Sequence, residues 1–220
     1  MTAAISLRGL SLLDRSGRPL LTGFDLELGP GEAVVLSAPP EIGTALLRAV
    51  VGLEAPAVGE ARVLGEVVRA LGRAGAEALL ARVGYLPRHG ALVSNLPIRE
   101  NLALPLRWHR HLTGPAVLEE ATRAAGRFGV VGLPALIPPL VSLALRRRVA
   151  LARATVLGPE VLVLDDPTED LDPGTAAEVS ACLAAVARTL GAAVFCTSHE
   201  DEVPTALGAR VLTLHPASPP

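Results

Sequence analysis

Asp165 and Asp166 stand side by side directly after Val161-Leu162-Val163-Leu164. Four apolar residues in a row read as a short strand covered on both faces, as in a parallel sheet with helices on each side. In open α/β sheets ligands bind outside the carboxyl ends of the strands, where this pair stands. A carboxylate there can hold Mg²⁺ on a bound nucleotide, and a second can orient an attacking water. The pair belongs to residues 145–173, which read as a basic helix, a Gly158-Pro159 turn, the strand and an acidic turn.

Such chemistry also needs a phosphate cradle. Ala33-Val34-Val35-Leu36 reads as a buried strand, residues 37–43 as a loop and residues 44–51 as a helix. Strand, loop and helix form the layout of a P-loop, whose pattern is G-x-x-x-x-G-K-[ST]. Aligned on the helix start, Ser37 and Ile42 take the places of the glycines, Gly43 that of the lysine, and Thr44 that of the hydroxyl that reaches Mg²⁺. A P-loop aims backbone N–H groups at phosphates. Pro39 and Pro40 have no N–H to give, and Ile42 puts a branched side chain where the backbone must bend closely.

Composition narrows the classes. The chain has 220 residues and a formal net charge of -2, which argues against a general nucleic-acid binder. All 20 of its Lys+Arg residues are arginine, and glutamine is absent, so chemistry that requires a lysine or glutamine side chain is excluded. Cys182 and Cys196 lie in apolar contexts and are expected as buried thiols of a reducing compartment. No signal-peptide pattern is found, and no apolar run approaches the ~20 residues of a membrane span. The expectation is a soluble protein, or one that meets a membrane only through a partner.

The elements that must position these residues follow in order. Residues 3–13 and 23–28 read as strands of an antiparallel piece, and 60–67 and 81–86 as further strands around a helix over 70–80. Residues 87–97 form a loop. A helix over 99–111 is expected to kink or break at Pro105. Residues 116–128 and 142–157 are helical, with an irregular stretch between. A helix over 174–190, a buried strand over 192–196, a short helix over 200–207 and a strand over 209–214 complete the chain before a frayed tail, 216–220. Ser198 is a candidate N-cap for the short helix. Arg146, Arg147 and Arg148 read as a solvated helix face, and His109 and His111 as exposed. Trp108 with Leu102, Leu104 and Leu106 suits either a groove for a membrane partner or subdomain core.

In combination these residues carry a family resemblance along nearly the whole chain. Residues 148–154 (RVALARA), the run 159–168 (PEVLVLDDPT) and Leu171-Asp172-Pro173 resemble the helix after the signature motif, the Walker B strand and the D-loop of ABC transporter ATP-binding subunits. Thr197-Ser198-His199-Glu200 resembles the switch-histidine segment, and Arg99-Glu100-Asn101-Leu102 the start of the helical subdomain. The resemblance implies an α/β fold of P-loop NTPase type: a mixed sheet, an N-terminal antiparallel region and an inserted helical subdomain. It implies one cassette over 1–220, with sheet core at about 1–95 and 158–220 and the subdomain at about 96–157.

The resemblance also implies ATP and Mg²⁺ as cofactors. Asp165 and Thr44 would then face the metal, Ser37, Ile42, Gly43, Thr44 and Ser142 the nucleotide, and Asp166 and His199 would be catalytic. The departures fall on the nucleotide contacts. The signature LSGGQ stands as Val141-Ser142-Leu143-Ala144-Leu145, and Arg88 replaces the glutamine of the loop before the subdomain. No aromatic lies near residues 12–14, where the family stacks one on adenine. Asp166 replaces the catalytic glutamate, one methylene shorter, and a misplacement of ~1 Å can cost about 10²-fold. The reading is a degenerate cassette, a pseudo-ATPase. It would sit at the inner face of the cell membrane on a permease subunit, paired with itself or with another ABC ATPase. An ATP-hydrolysing subunit with deviant motifs and a soluble regulatory or scaffold protein are the alternatives.

Overall fold

The computed structural model describes residues 2–215, so the tail expected to fray lies outside the described residues. Two sheets organise the chain. The antiparallel one has strand order β2-β1-β4-β5, from β1 (Ile5–Leu13), β2 (Pro19–Leu28), β4 (Val58–Val63) and β5 (Glu66–Val67). The parallel one has order β6-β7-β8-β3-β9, from β3 (Ala33–Ser37), β6 (Val83–Leu86), β7 (Val161–Asp165), β8 (Ala193–Thr197) and β9 (Arg210–Thr213).

The four apolar residues of β7 divide as a doubly covered strand requires. Val161 and Val163 point into a core shared with α1 (Pro40–Val50) and the antiparallel sheet. Leu162 and Leu164 point into a second core under α3 (Ile98–Arg110), α4 (Gly114–Gly126), α5 (Leu143–Thr155) and α6 (Pro173–Leu190). All four are fully buried. At about 1.5–3 kcal/mol for each buried aliphatic side chain, this double coverage holds β7 inside the sheet, between β6 and β8, and makes its carboxyl end a rigid platform.

Helix α2 (Arg73–Leu80) precedes β6, and α7 (Glu202–Leu207) precedes β9. Helices α3, α4 and α5 pack on one another between β6 and β7 in the chain.

Four local expectations change. The stretch 60–67 is a hairpin, because Leu64 and Gly65 both adopt positive φ (52° and 86°) and reverse the chain. Helix α3 runs unbroken through Pro105. Burial of Ile98, Leu102 and Leu106 on one face is worth more than the ~3 kcal/mol an internal proline costs. Ser198 does not cap α7. Its hydroxyl bonds the N–H and C=O of Glu200 and closes a turn ahead of the helix.

The three arginines of α5 are not a solvated face. Arg147 is 4% exposed and donates to the carbonyls of Arg88 (2.6 Å) and Glu169 (3.1 Å). Arg148 donates to Phe128 O and Glu178, and Arg146 to Pro138 O. Three neighbours on a helix point three ways, and here each finds its own carbonyl. Trp108 and Leu104 are exposed while Leu102 and Leu106 are core, so the four do not form one surface. Cys196 is buried and burial pushes its thiol up; Cys182 is half-buried.

Candidate functional site

β7 ends in Asp165, which is fully buried. Both of its carboxylate oxygens are held: Thr44 Oγ1 donates to Oδ2 at 2.6 Å, and Thr197 Oγ1 donates to Oδ1 at 2.9 Å. The chain then turns at Asp166, whose φ of 47° lies in the left-handed region that aspartate tolerates better than most residues. Its N–H donates to Thr197 Oγ1 at 2.9 Å. Thr197, the last residue of β8, therefore links both aspartates to the neighbouring strand. Burial pushes the Asp166 carboxyl up; the Arg88 charge acts the other way, Glu169 adds to the rise, and His199 opposes it.

The proposed cradle has a different form from the expected loop. Pro40 is the first residue of α1, where its fixed φ suits a helix start, so the expected loop shrinks to residues 38–39. The N–H groups of Ile42 and Gly43 both donate to Pro39 O at 3.0 Å. Ile42 is 1% exposed and belongs to the core rather than to the loop surface. Gly43 is buried, and a Cβ added there would lie 2.7 Å from Thr197 Cγ2. Ser37 is half-buried at the end of β3, and its carbonyl accepts from Leu214 N.

Among the predicted site residues, the structure joins Thr44 and Asp165 directly, and Asp166 through Thr197. His199 is exposed, and its charge reaches Asp166. Ser142 caps α5, accepting from Leu145 N at 3.2 Å, and is exposed. Beside Thr44 an open cleft of about 840 Å³ is lined by Leu13, Asp14, Leu20, Glu41, Arg48 and other residues, with no aromatic among them.

Sequence reasoning missed Glu169. Its Oε1 accepts from Arg88 Nε at 2.6 Å, and it anchors a charge cluster in front of Asp165 and Asp166. The signal was present only as an arginine and a glutamate 81 residues apart.

The start of α1 offers few free N–H groups where a P-loop would cradle a triphosphate. Two of the loop's residues have no N–H, two further N–H groups are already donated, and the lysine's position is a packed glycine.

The fold has close counterparts. MJ0796, an ATP-binding cassette solved as a dimer in a post-hydrolysis state with ADP and Pi, superposes with a TM-score of 0.86 at 21% identity, over 96% of this chain and 94% of that one. CbiO1 from Clostridium perfringens, part of the ABC transporter complex cbiONQ, gives 0.82 at 21% identity over 97% and 85%. In sequence, the methionine import ATP-binding protein MetN of Caulobacter vibrioides is 35% identical over 204 residues, 91% of this chain and 60% of the relative. MetN of Xanthomonas oryzae pv. oryzae is 34% identical over 195 residues, 87% and 57%. The chain thus spans about six tenths of the length of these relatives. The ABC transporter family model matches residues 21–169. With both cores, the Asp165 platform and the family match in agreement, the chain belongs to the ABC transporter family, as an ATP-binding cassette.

Proposed function

We propose that this chain is a non-hydrolysing cassette of an ABC transporter. It keeps the fold of an ATPase subunit and has lost the triphosphate cradle. The observation that carries this reading is the closed turn at the start of α1. The N–H groups of Ile42 and Gly43 are spent on Pro39 O, and Thr197 packs where a lysine's Cβ would stand. A cassette of this kind acts through its partners: a membrane permease and a second cassette, either another copy or an intact ATPase, at the cytoplasmic face of the membrane. Residues from about 96 to about 157 serve as the helical subdomain, and the described residues before and after them as the sheet core. The absence, among the described residues, of a helix able to cross a membrane is compatible with that arrangement. Because the relatives are named for methionine import, an importer permease is the first partner to test.

The retained Asp165–Thr44 pair favours a second reading, an active ATPase with deviant motifs. Equilibrium binding of labelled ATP with Mg²⁺ to the purified chain, followed by a phosphate-release assay, separates the two. The non-hydrolysing cassette shows neither micromolar binding nor release. Release that disappears in His199→Ala establishes the active enzyme instead.

A further inference from the structure

Arg88 leaves the end of β6 and lies among three carboxylates. Its Nε and Nη2 both reach Glu169 Oε1 at 2.6 Å. Nη2 is 3.4 Å from Asp166 Oδ2, and Nη1 is 4.0 Å from Asp165 Oδ1. The side chain is 20% exposed, while those of Asp165 and Asp166 are 1% and 5% exposed. Nη1 is buried without a hydrogen-bond partner, as is Glu169 Oε2. A second guanidinium, Arg147, braces the arrangement from α5 through the carbonyls of Arg88 and Glu169, with Nη2 3.7 Å from Glu169 Oε2.

We infer that Arg88 is a built-in cation: it takes the position of a divalent metal before Asp165 and Asp166, and it excludes one. Buried carboxylates this close together require a counter-charge. A hard divalent ion would need oxygen ligands from the same groups. Asp165 gives its two oxygens to Thr44 and Thr197, and Asp166 Oδ2 faces the guanidinium. A metal added beside Arg88 would meet a like charge at short range in a weakly screening interior. Glu169 makes the substitution specific, because charge-assisted bonds to one of its oxygens aim the planar guanidinium at the aspartates.

This inference concerns the same site as the proposed function, and its test contains no nucleotide, so the two fail separately. Mn²⁺ is titrated into the full chain, and free Mn²⁺ is followed by its electron paramagnetic resonance signal. The wild type is expected to hold no Mn²⁺ at this site. Arg88→Ala is expected to bind one Mn²⁺ at least about 10-fold more tightly than the wild type binds any, as the like charge is gone. The gain should vanish in Arg88→Ala/Asp165→Asn, which separates it from binding by surface carboxylates. Arg88→Gln, which keeps a side chain able to bond Glu169, serves as the second variant should the alanine chain not fold, and its melting temperature should rise with Mn²⁺. Wild-type binding that is lost in Asp165→Asn overturns the inference without any Arg88 variant. A folded Arg88 variant that gains nothing overturns it as well.

Discussion

Gly43 and Thr197 are in contact across the start of α1: a Cβ at position 43 would lie 2.7 Å from Thr197 Cγ2. The absence of a side chain at the lysine's position is therefore matched by packing, and restoring one is not a local change. Gly43→Ala should destabilise by about 1–3 kcal/mol in urea unfolding, the usual cost of overpacking. In a Thr197→Ser background, which keeps the hydroxyl but lacks Cγ2, alanine should become neutral or stabilising, since alanine is the better helix residue by about 1 kcal/mol. The same sign in both backgrounds would disprove the contact as the cause. Gly43→Lys alone should lower stability further and restore no ATP binding.

Asn101 is fully buried in α3 and serves as a template for the loop before it. Its Oδ1 accepts from Val93 N at 2.7 Å, and its Nδ2 faces the carbonyls of Val93, Leu96 and Pro97 at 3.1, 3.0 and 3.3 Å. Asn101→Ala strands these groups and should cost about 1–3 kcal/mol. Asn101→Asp should cost more at neutral pH, because a carboxylate then faces three carbonyls. Chemical denaturation of the three chains at neutral pH checks the order.

Legibility differed by the range of the interaction. The β7 strand could be read from four consecutive residues, because burial on both faces leaves a local imprint on sequence. Thr44 and Asp165 were placed together by their motif positions, and they bond at 2.6 Å. Pro39-Pro40 reads as loop in sequence, whereas a proline at a helix's first residue costs no hydrogen bond and α1 starts there. Arg147 reads as solvated because a charged residue in a helix carries no mark of the carbonyls that folding brings to it. The Arg88–Glu169 pair, joined only by folding, left no periodicity to detect.

Asp14 supplies a pH-dependent contribution in the β1–β2 turn. Hydrogen bonds from Ser16 Oγ, then from the backbone of Arg18 and Ser16, hold its carboxyl at about 2, below the ordinary 3.8. A folded-state value below the unfolded one stabilises above the unfolded value, and the gain fades as pH falls through the folded one. The difference in melting temperature between wild type and Asp14→Asn should be constant above about pH 5 and shrink between about pH 4 and pH 2. A difference that is flat across that window would remove Asp14 as its source.

Thr44, aligned with the hydroxyl of a P-loop, is bonded to Asp165. Its Oγ1 donates to a carboxylate that is fully buried and whose other oxygen is held by Thr197. Without Thr44, Asp165 Oδ2 loses its donor in a position that water reaches poorly. Thr44→Val preserves the shape and removes the donor, so it should cost about 1–3 kcal/mol in nucleotide-free unfolding. Thr44→Ser keeps the donor and should cost less than half as much. If the hydroxyl mattered only to a bound metal, both variants would unfold like wild type in the absence of nucleotide and divalent ions. A cost confined to valine makes Thr44 a structural partner of Asp165 in its own right.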